Sequence, residues 1–216
     1  MILLRLLFEQ ACHCIILLSY ETLRTMPGKR AKILSIADVG DLLAFASCTR
    51  HPLRNAVMVL LSAKAGLRAG EIAKLTWDMV VDASGQISGL IELADTAAKK
   101  CSGRSIPIHP DLIAALVAWR QVAPPSDYVI ASERGRRMRP LSIVVWFNRA
   151  FKNIGLLGCS SHSGRRTFVT RAARIVHKAG GSLRDVQLLA GHRSIQTTQR
   201  YIDGDTDAQR KLVAMI

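Results

Sequence analysis

From Ser35 onward, apolar residues recur every three or four positions, the period of a helix with one buried side. Ser35, with Asp38 three residues later, forms a capping-box signature at the head of the first run, SIADVGDLLAFASC. Pro52 suits the first position of a second helix, PLRNAVMVLLSAKAG, and Gly66 suits its end. Leu67, Ile72 and Leu75 predict a short third helix with its apolar side inward. The pattern then shortens. Residues 77–81, 87–93 and 104–108 read as three short strands, separated by Asp82-Ala83-Ser84-Gly85 and Lys100-Cys101-Ser102-Gly103, both turn compositions. Helical spacing returns after Pro110, with Leu112, Ile113, Leu116 and Val117 apolar, and again over residues 141–154, with Ile143, Val144, Phe147 and Phe151 inward and Trp146 assigned to the core. A helix over residues 163–178 stops at Gly180-Gly181. Ser182 and Asp185 repeat the capping-box pattern before LRDVQLLA, Gly191 ends that helix, and Ser194 caps SIQTTQRYI. The expected fold class is α+β, mainly α-helical, with a small antiparallel three-stranded sheet. A terminal helix is expected over residues 208–216, with Leu212, Val213 and Met215 as an apolar patch.

The first 25 residues break this order. They are apolar but interrupted by Arg5, Glu9, Gln10 and His13, so no charge-free piece is long enough to span a bilayer. No small-residue cleavage site marks a signal peptide. They read as an amphipathic helix covering the domain, or as an extension upstream of a start at Met26, where MPGKRAKIL begins a basic leader. Residues 1–34 are accordingly a leader and residues 35–216 a domain.

Composition adds a partner. Of 216 residues, 49% are hydrophobic, enough for a core. Lys and Arg number 30 against 16 Asp and Glu, a net charge of +14 that favours a polyanion, most simply DNA or RNA. Aromatics are only 5%, which argues against a stacking platform for single strands. The five cysteines are irregularly spaced with no Cys-x-x-Cys, which argues against a zinc site and for a reducing cytoplasm.

Candidate chemistry gathers late in the chain. His162 and Arg165 lie three apart in a predicted helix, so their Cβ atoms are roughly 5–6 Å apart on one face. A guanidinium grips phosphate oxygens bidentately, and an imidazole moves a proton near neutral pH. By itself this pair reads equally as a solvated helix face. Arg68 follows Gly66 at a helix junction, where a charged side chain can enter a cleft. Glu71 reads as a helix-start carboxylate complementing the dipole. The basic run ERGRRMRP, with Arg134, Arg136, Arg137 and Arg139, reads either as a solvated loop or as a contact to the DNA backbone.

Taken together, these stretches resemble the catalytic domain of the tyrosine recombinases, the phage integrase family. AGLRAGEIAKLTW resembles its first arginine motif, AAKKCSGRSIPI its lysine hairpin, SHSGRRTF its His-x-x-Arg motif, and LLAGHRSIQTTQRYI its Gly-His to Tyr motif. Any one is weak, but four in order are specific. The resemblance covers roughly residues 35–202. It implies a tyrosine-recombinase-like catalytic domain that acts as a site-specific DNA recombinase or integrase. Such a domain breaks a strand with a tyrosine, forms a 3′-phosphotyrosine and rejoins it elsewhere. By that resemblance Tyr201 is the nucleophile, Arg68 and Arg165 clamp the phosphate, and His162 moves a proton. His192 donates a hydrogen bond to the phosphate, and Lys99 protonates the leaving 5′-oxygen. Lys99 is chosen over Lys100 because Arg104 and Pro107 then fall five and eight residues later, as in the family. Lys100 and Arg104 join the four loop arginines as expected DNA contacts.

The resemblance implies no metal, no cofactor and no external energy source, because side chains supply the positive charge and the phosphotyrosine conserves the broken bond. It implies double-stranded DNA as partner, a homo-oligomer (a tetramer) on DNA, possible pairing with another recombinase subunit, no membrane, and a bacterial cytoplasmic location on the nucleoid. One departure stands out. The separate N-terminal core-binding domain that usually completes the clamp is expected to be absent. That leaves a non-catalytic DNA-binding relic, or an accessory of an intact recombinase, as the alternative function. A type IB topoisomerase-like activity shares the chemistry. A metal-dependent nuclease using His162, His177 and His192 lacks an accompanying carboxylate cluster.

Overall fold

The computed structural model describes residues 31–98, 102–202, 210 and 213–216. The expectations for Met1–Arg30, and most of those for residues 208–216, lie outside the described residues. The chain enters the core at Leu34, which is 1% exposed. The Leu34 N–H donates to Thr167 Oγ1 at 2.8 Å, and its carbonyl accepts from Arg171 Nη2 at 2.9 Å.

Eight helices and two strands follow among the described residues: α1 (Ile36–Ser47), α2 (Pro52–Ala63), α3 (Ala69–Lys74), β1 (Leu90–Leu93), β2 (Arg104–Pro107), α4 (Pro110–Val122), α5 (Pro140–Asn153), α6 (Ser163–Ile175), α7 (Leu183–Ala190) and α8 (Ile195–Gln199). The capping boxes at Ser35/Asp38 and Ser182/Asp185 both form, and Pro52 and Pro140 sit in first turns, where a missing N–H costs nothing.

Helix α2 is the centre. Nine of its residues are buried, including Val57, Met58 and Leu61 at 0% exposure, because α1, α4 and α6 all pack on it. A helix enclosed on every side needs apolar residues all round, as the run VMVLL supplies. Elsewhere burial keeps to one stripe. In α4 it is Leu112, Leu116 and Trp119, with the Trp119 indole N–H donating to the Val129 carbonyl at 2.7 Å. Val117, expected inward, is 43% exposed, since it lies off that stripe. In α5, Trp146 packs against Phe45 and Phe147 with ring centroids 6.3 and 5.2 Å apart, as a core residue.

The sheet has two strands rather than three. β1 pairs antiparallel with β2, Ile91 opposite Ile106. The expected first strand is a 3-10 turn, Trp77–Met79, whose N-terminal amide donates to Asp127 O at 2.9 Å rather than to a neighbouring strand. Beyond it only a single bridge joins Val81 to Ile87. The Asp82 carboxylate closes the turn between those two residues, accepting from the amides of Ser84 and Gln86 at 2.9 and 3.0 Å. Among the described residues, no helix is long and apolar enough to cross a membrane.

Because α2 carries the packing of three helices, Leu61→Ala should lower stability by about 2–5 kcal/mol in urea unfolding. A loss below about 1 kcal/mol would show that α2 is not the keystone of the core.

Candidate active site

Four separate segments meet beside the β1–β2 hairpin. Arg68 caps α3, Arg165 comes from the first turn of α6, His192 follows the C-terminus of α7, and Tyr201 follows α8. Glu71 joins Arg68 to the hairpin through Arg104. Its carboxylate is 1% exposed and accepts from Arg68 Nη1 at 2.7 Å, from the Arg68 backbone N–H at 2.9 Å, and from Arg104 Nη2 at 3.1 Å. Burial opposes this charge, but the two guanidiniums and the backbone hydrogen bond outweigh it and hold the pKa down at about 2.

Arg165 is 3% exposed. Its Nη1 donates to the Gly66 carbonyl and its Nη2 to the Ala190 carbonyl, both at 2.6 Å, and Nη2 also reaches His192 Nε2 at 3.0 Å. Burial, with Arg68 and Arg104 nearby, lowers its pKa to about 10, so the group stays charged at neutral pH. Gly66 makes this anchor possible. Its φ is +67°, and the Phe168 ring lies where any Cβ would stand.

A guanidinium has no lone pair, so His192 Nε2 is the acceptor in that contact. The partners therefore assign the ring proton to Nδ1, which lies 3.0 Å from Thr198 Oγ1. Burial and three nearby arginines lower the His192 pKa to about 4. His192 is thus a neutral acceptor that orients Arg165. The Tyr201 ring stacks on His192 at 5.4 Å, with 21° between planes. His162 occupies the N-cap of α6, one turn before Arg165, with its side chain exposed.

Three guanidiniums therefore surround one carboxylate and a neutral imidazole. The excess positive charge, partly shielded from water, suits a phosphodiester. Among the described residues, no group of three or more His, Cys, Asp or Glu side chains stands together to hold a metal ion. His177 is exposed in the 3-10 turn that follows α6.

The sequence profile of the phage integrase family matches residues 32–207. The chain belongs to the phage integrase family. It is similar to tyrosine recombinase XerC of Alcanivorax borkumensis, at 30% identity over 185 residues, covering 81% of this chain and 56% of that protein. It thus spans a little over half the length of that curated relative. Among solved structures, XerA recombinase superposes with a TM-score of 0.67 at 23% identity, covering 89% of this chain and 65% of that one. A lambda integrase tetramer bound to a Holliday junction superposes with a TM-score of 0.60 at 20% identity, covering 80% and 48%. These likenesses belong to the same mainly helical fold with a small antiparallel sheet.

Two expected site residues of the family motifs, Lys99 and Lys100, lie outside the described residues. Arg134, Arg136, Arg137 and Arg139 are exposed, on a tight hairpin rather than a loose loop. The Ser132 N–H donates to Arg136 O at 2.7 Å, and Ala131 bridges Arg137. Glu133 pairs with Arg50 at 2.9 Å and with His51 at 3.0 Å, which ties this hairpin to the residues just before α2. Arg104, expected on DNA, has a side chain only 6% exposed that pairs with Glu71. Glu71 does cap its helix as expected, but its larger part is to bind two arginines. The Arg68–Glu71 spacing hints at a pair, whereas Arg104, 33 residues away, gives no local signal.

Glu71→Gln should lower stability by about 3–5 kcal/mol at pH 7, because it removes the charge that Arg68 and Arg104 share. Stability should also decline on acidification in two windows. Between pH 6.5 and about 4 the unfolded chain protonates His192 while the folded one does not. From about 4.5 down to about 2, unfolding gains from protonating Glu71. Urea midpoints measured against pH should show both windows, with the upper one missing in His192→Gln. An unchanged upper window in that variant would refute the assignment.

Proposed function

We propose that this domain is a site-specific DNA strand transferase that cuts and rejoins DNA through a 3′-phosphotyrosine. The observation that carries the reading is the convergence of Arg68, Arg165, His192 and Tyr201, from four segments, around one buried carboxylate, in a chain of the phage integrase family. Tyr201 Oη attacks the scissile phosphorus. Its proton passes to His162, the new P–O bond forms to tyrosine, and the 5′-oxygen leaves with a proton from Lys99. Arg68 and Arg165 hold the non-bridging oxygens, where charge grows in the transition state. For Arg165 the Nε–H and one Nη1–H remain for this task among the described residues. His192 keeps that guanidinium in its plane. Because the phosphodiester energy is conserved in the phosphotyrosine, the step runs in either direction, which is what recombination and integration both require.

Double-stranded DNA is the partner, and the exposed arginines at 134, 136, 137 and 139 are its backbone contacts. Assembly as a tetramer on DNA is supported by the lambda integrase tetramer on a Holliday junction, which shares the fold. The bacterial relative XerC supports a place on bacterial DNA in the cytoplasm.

Incubating the protein with nicked duplexes from DNA flanking its own gene should yield, after denaturation, a covalent protein–DNA adduct that Tyr201→Phe abolishes. Binding without an adduct, under salt conditions in which an active relative succeeds on its own site, would leave a DNA-binding protein without the chemistry. Replacing Arg136 and Arg137 singly by Ala should weaken binding and make log K against log salt shallower by about one unit each. Unchanged slopes would remove that hairpin from the DNA interface.

A further inference from the structure

Arg104 lies in β2, five residues after Lys99 in the chain, and its side chain reaches three parts of the site at once. Its Nε donates to the Leu189 carbonyl at 2.8 Å, at the end of α7. Nη1 and Nη2 straddle the Glu71 carboxylate at 3.3 and 3.1 Å, and Nη1 also lies 3.4 Å from the Ser102 carbonyl of its own hairpin. The guanidinium lies directly against Gly191. A Cβ there would stand 2.9 Å from Nη1 and 3.0 Å from Cδ, and the φ of +59° independently favours glycine. The neighbours of these contacts are the reacting groups' own supports. Glu71 binds Arg68, and Ala190, next after Leu189, accepts from Arg165 through its carbonyl.

We propose that Arg104 is a positioning residue for strand cleavage. It locks β2 to the Gly191–His192 turn and, through Glu71, to Arg68. The arginines and the histidine are thereby set in one register before DNA arrives. The proposal rests on the strand-cleaving reading above. Geometry favours a strut over a phosphate contact, because the Nε and both terminal nitrogens are already engaged inside the protein and the side chain is 6% exposed. A lysine cannot replace it, since one ammonium does not present the planar fork that spans a carboxylate and a carbonyl together.

The test uses Arg104→Lys, which keeps the charge, and Arg104→Gln, which does not. The first readout needs no activity. The His192 amide donates to Gln187 O at 3.1 Å and the Gly191 amide to Leu188 O at 3.0 Å. In both variants these two amides should exchange with solvent about tenfold faster, while amides of α2 keep their protection. The second readout is the Tyr201 adduct, which should form about 10–100-fold more slowly at unchanged DNA affinity and unchanged salt dependence. Unaltered exchange at Gly191 and His192, or equal acceleration in α2, would overturn the proposal. So would a loss of affinity with a salt slope shallower by about one unit, since that marks a phosphate contact. If the unaltered protein forms no adduct, the cleavage reading fails, and the exchange pattern still decides whether Arg104 holds the turn.

Discussion

A carboxylate held between two guanidiniums, away from water, organises this domain's chemistry. Among the described residues, Glu71 is the carboxylate that pairs with both Arg68 and Arg104, close to Arg165, and without it three positive groups would face each other in a low-dielectric pocket. Its position follows from the shortness of α3. Six residues are just enough to place Glu71 one turn after Arg68, so one side chain caps the helix and neutralises the residue that begins it. The same pairing leaves positive charge in excess, which a phosphodiester would satisfy.

The core explains why the cluster can be so tight. α2 is enclosed by α1, α4 and α6, so the loop after α2 and the first turn of α6 have little freedom. Gly66 ends the first and Arg165 begins the second, and a 2.6 Å hydrogen bond joins them across 99 residues of chain. The α7 end is tied in the same way through Ala190, Leu189 and Gln187. Tyr201, in the turn just after the short α8, has lighter support, chiefly its stacking on His192 and its packing against the small cluster around Val169 and Val186.

Much of this was legible in the residues. Capping boxes at Ser35 and Ser182, prolines at helix starts and the helical periods were read correctly, because caps and amphipathic stripes are local and act within one or two turns. The four motifs that identify the family are local strings as well. The first of the three expected strands is the exception. Apolar residues at 77–81 have strand composition, but Trp77–Met79 close a 3-10 turn and the Trp77 N–H is taken by the Asp127 carbonyl, 50 residues away.

The sequence by itself determined the residue types of the site, their order, the helical frame and the excess of positive charge, since each is a property of composition or of neighbours a few positions apart. Only the tertiary structure decided which charges meet. That Arg104 turns inward to Glu71 and Gly191, that His192 is neutral and accepts from Arg165, and that the basic run at 134–139 is a pinned hairpin all depend on groups far apart in the chain. The energies of such contacts are set by burial and by distance in space, and a linear pattern carries neither.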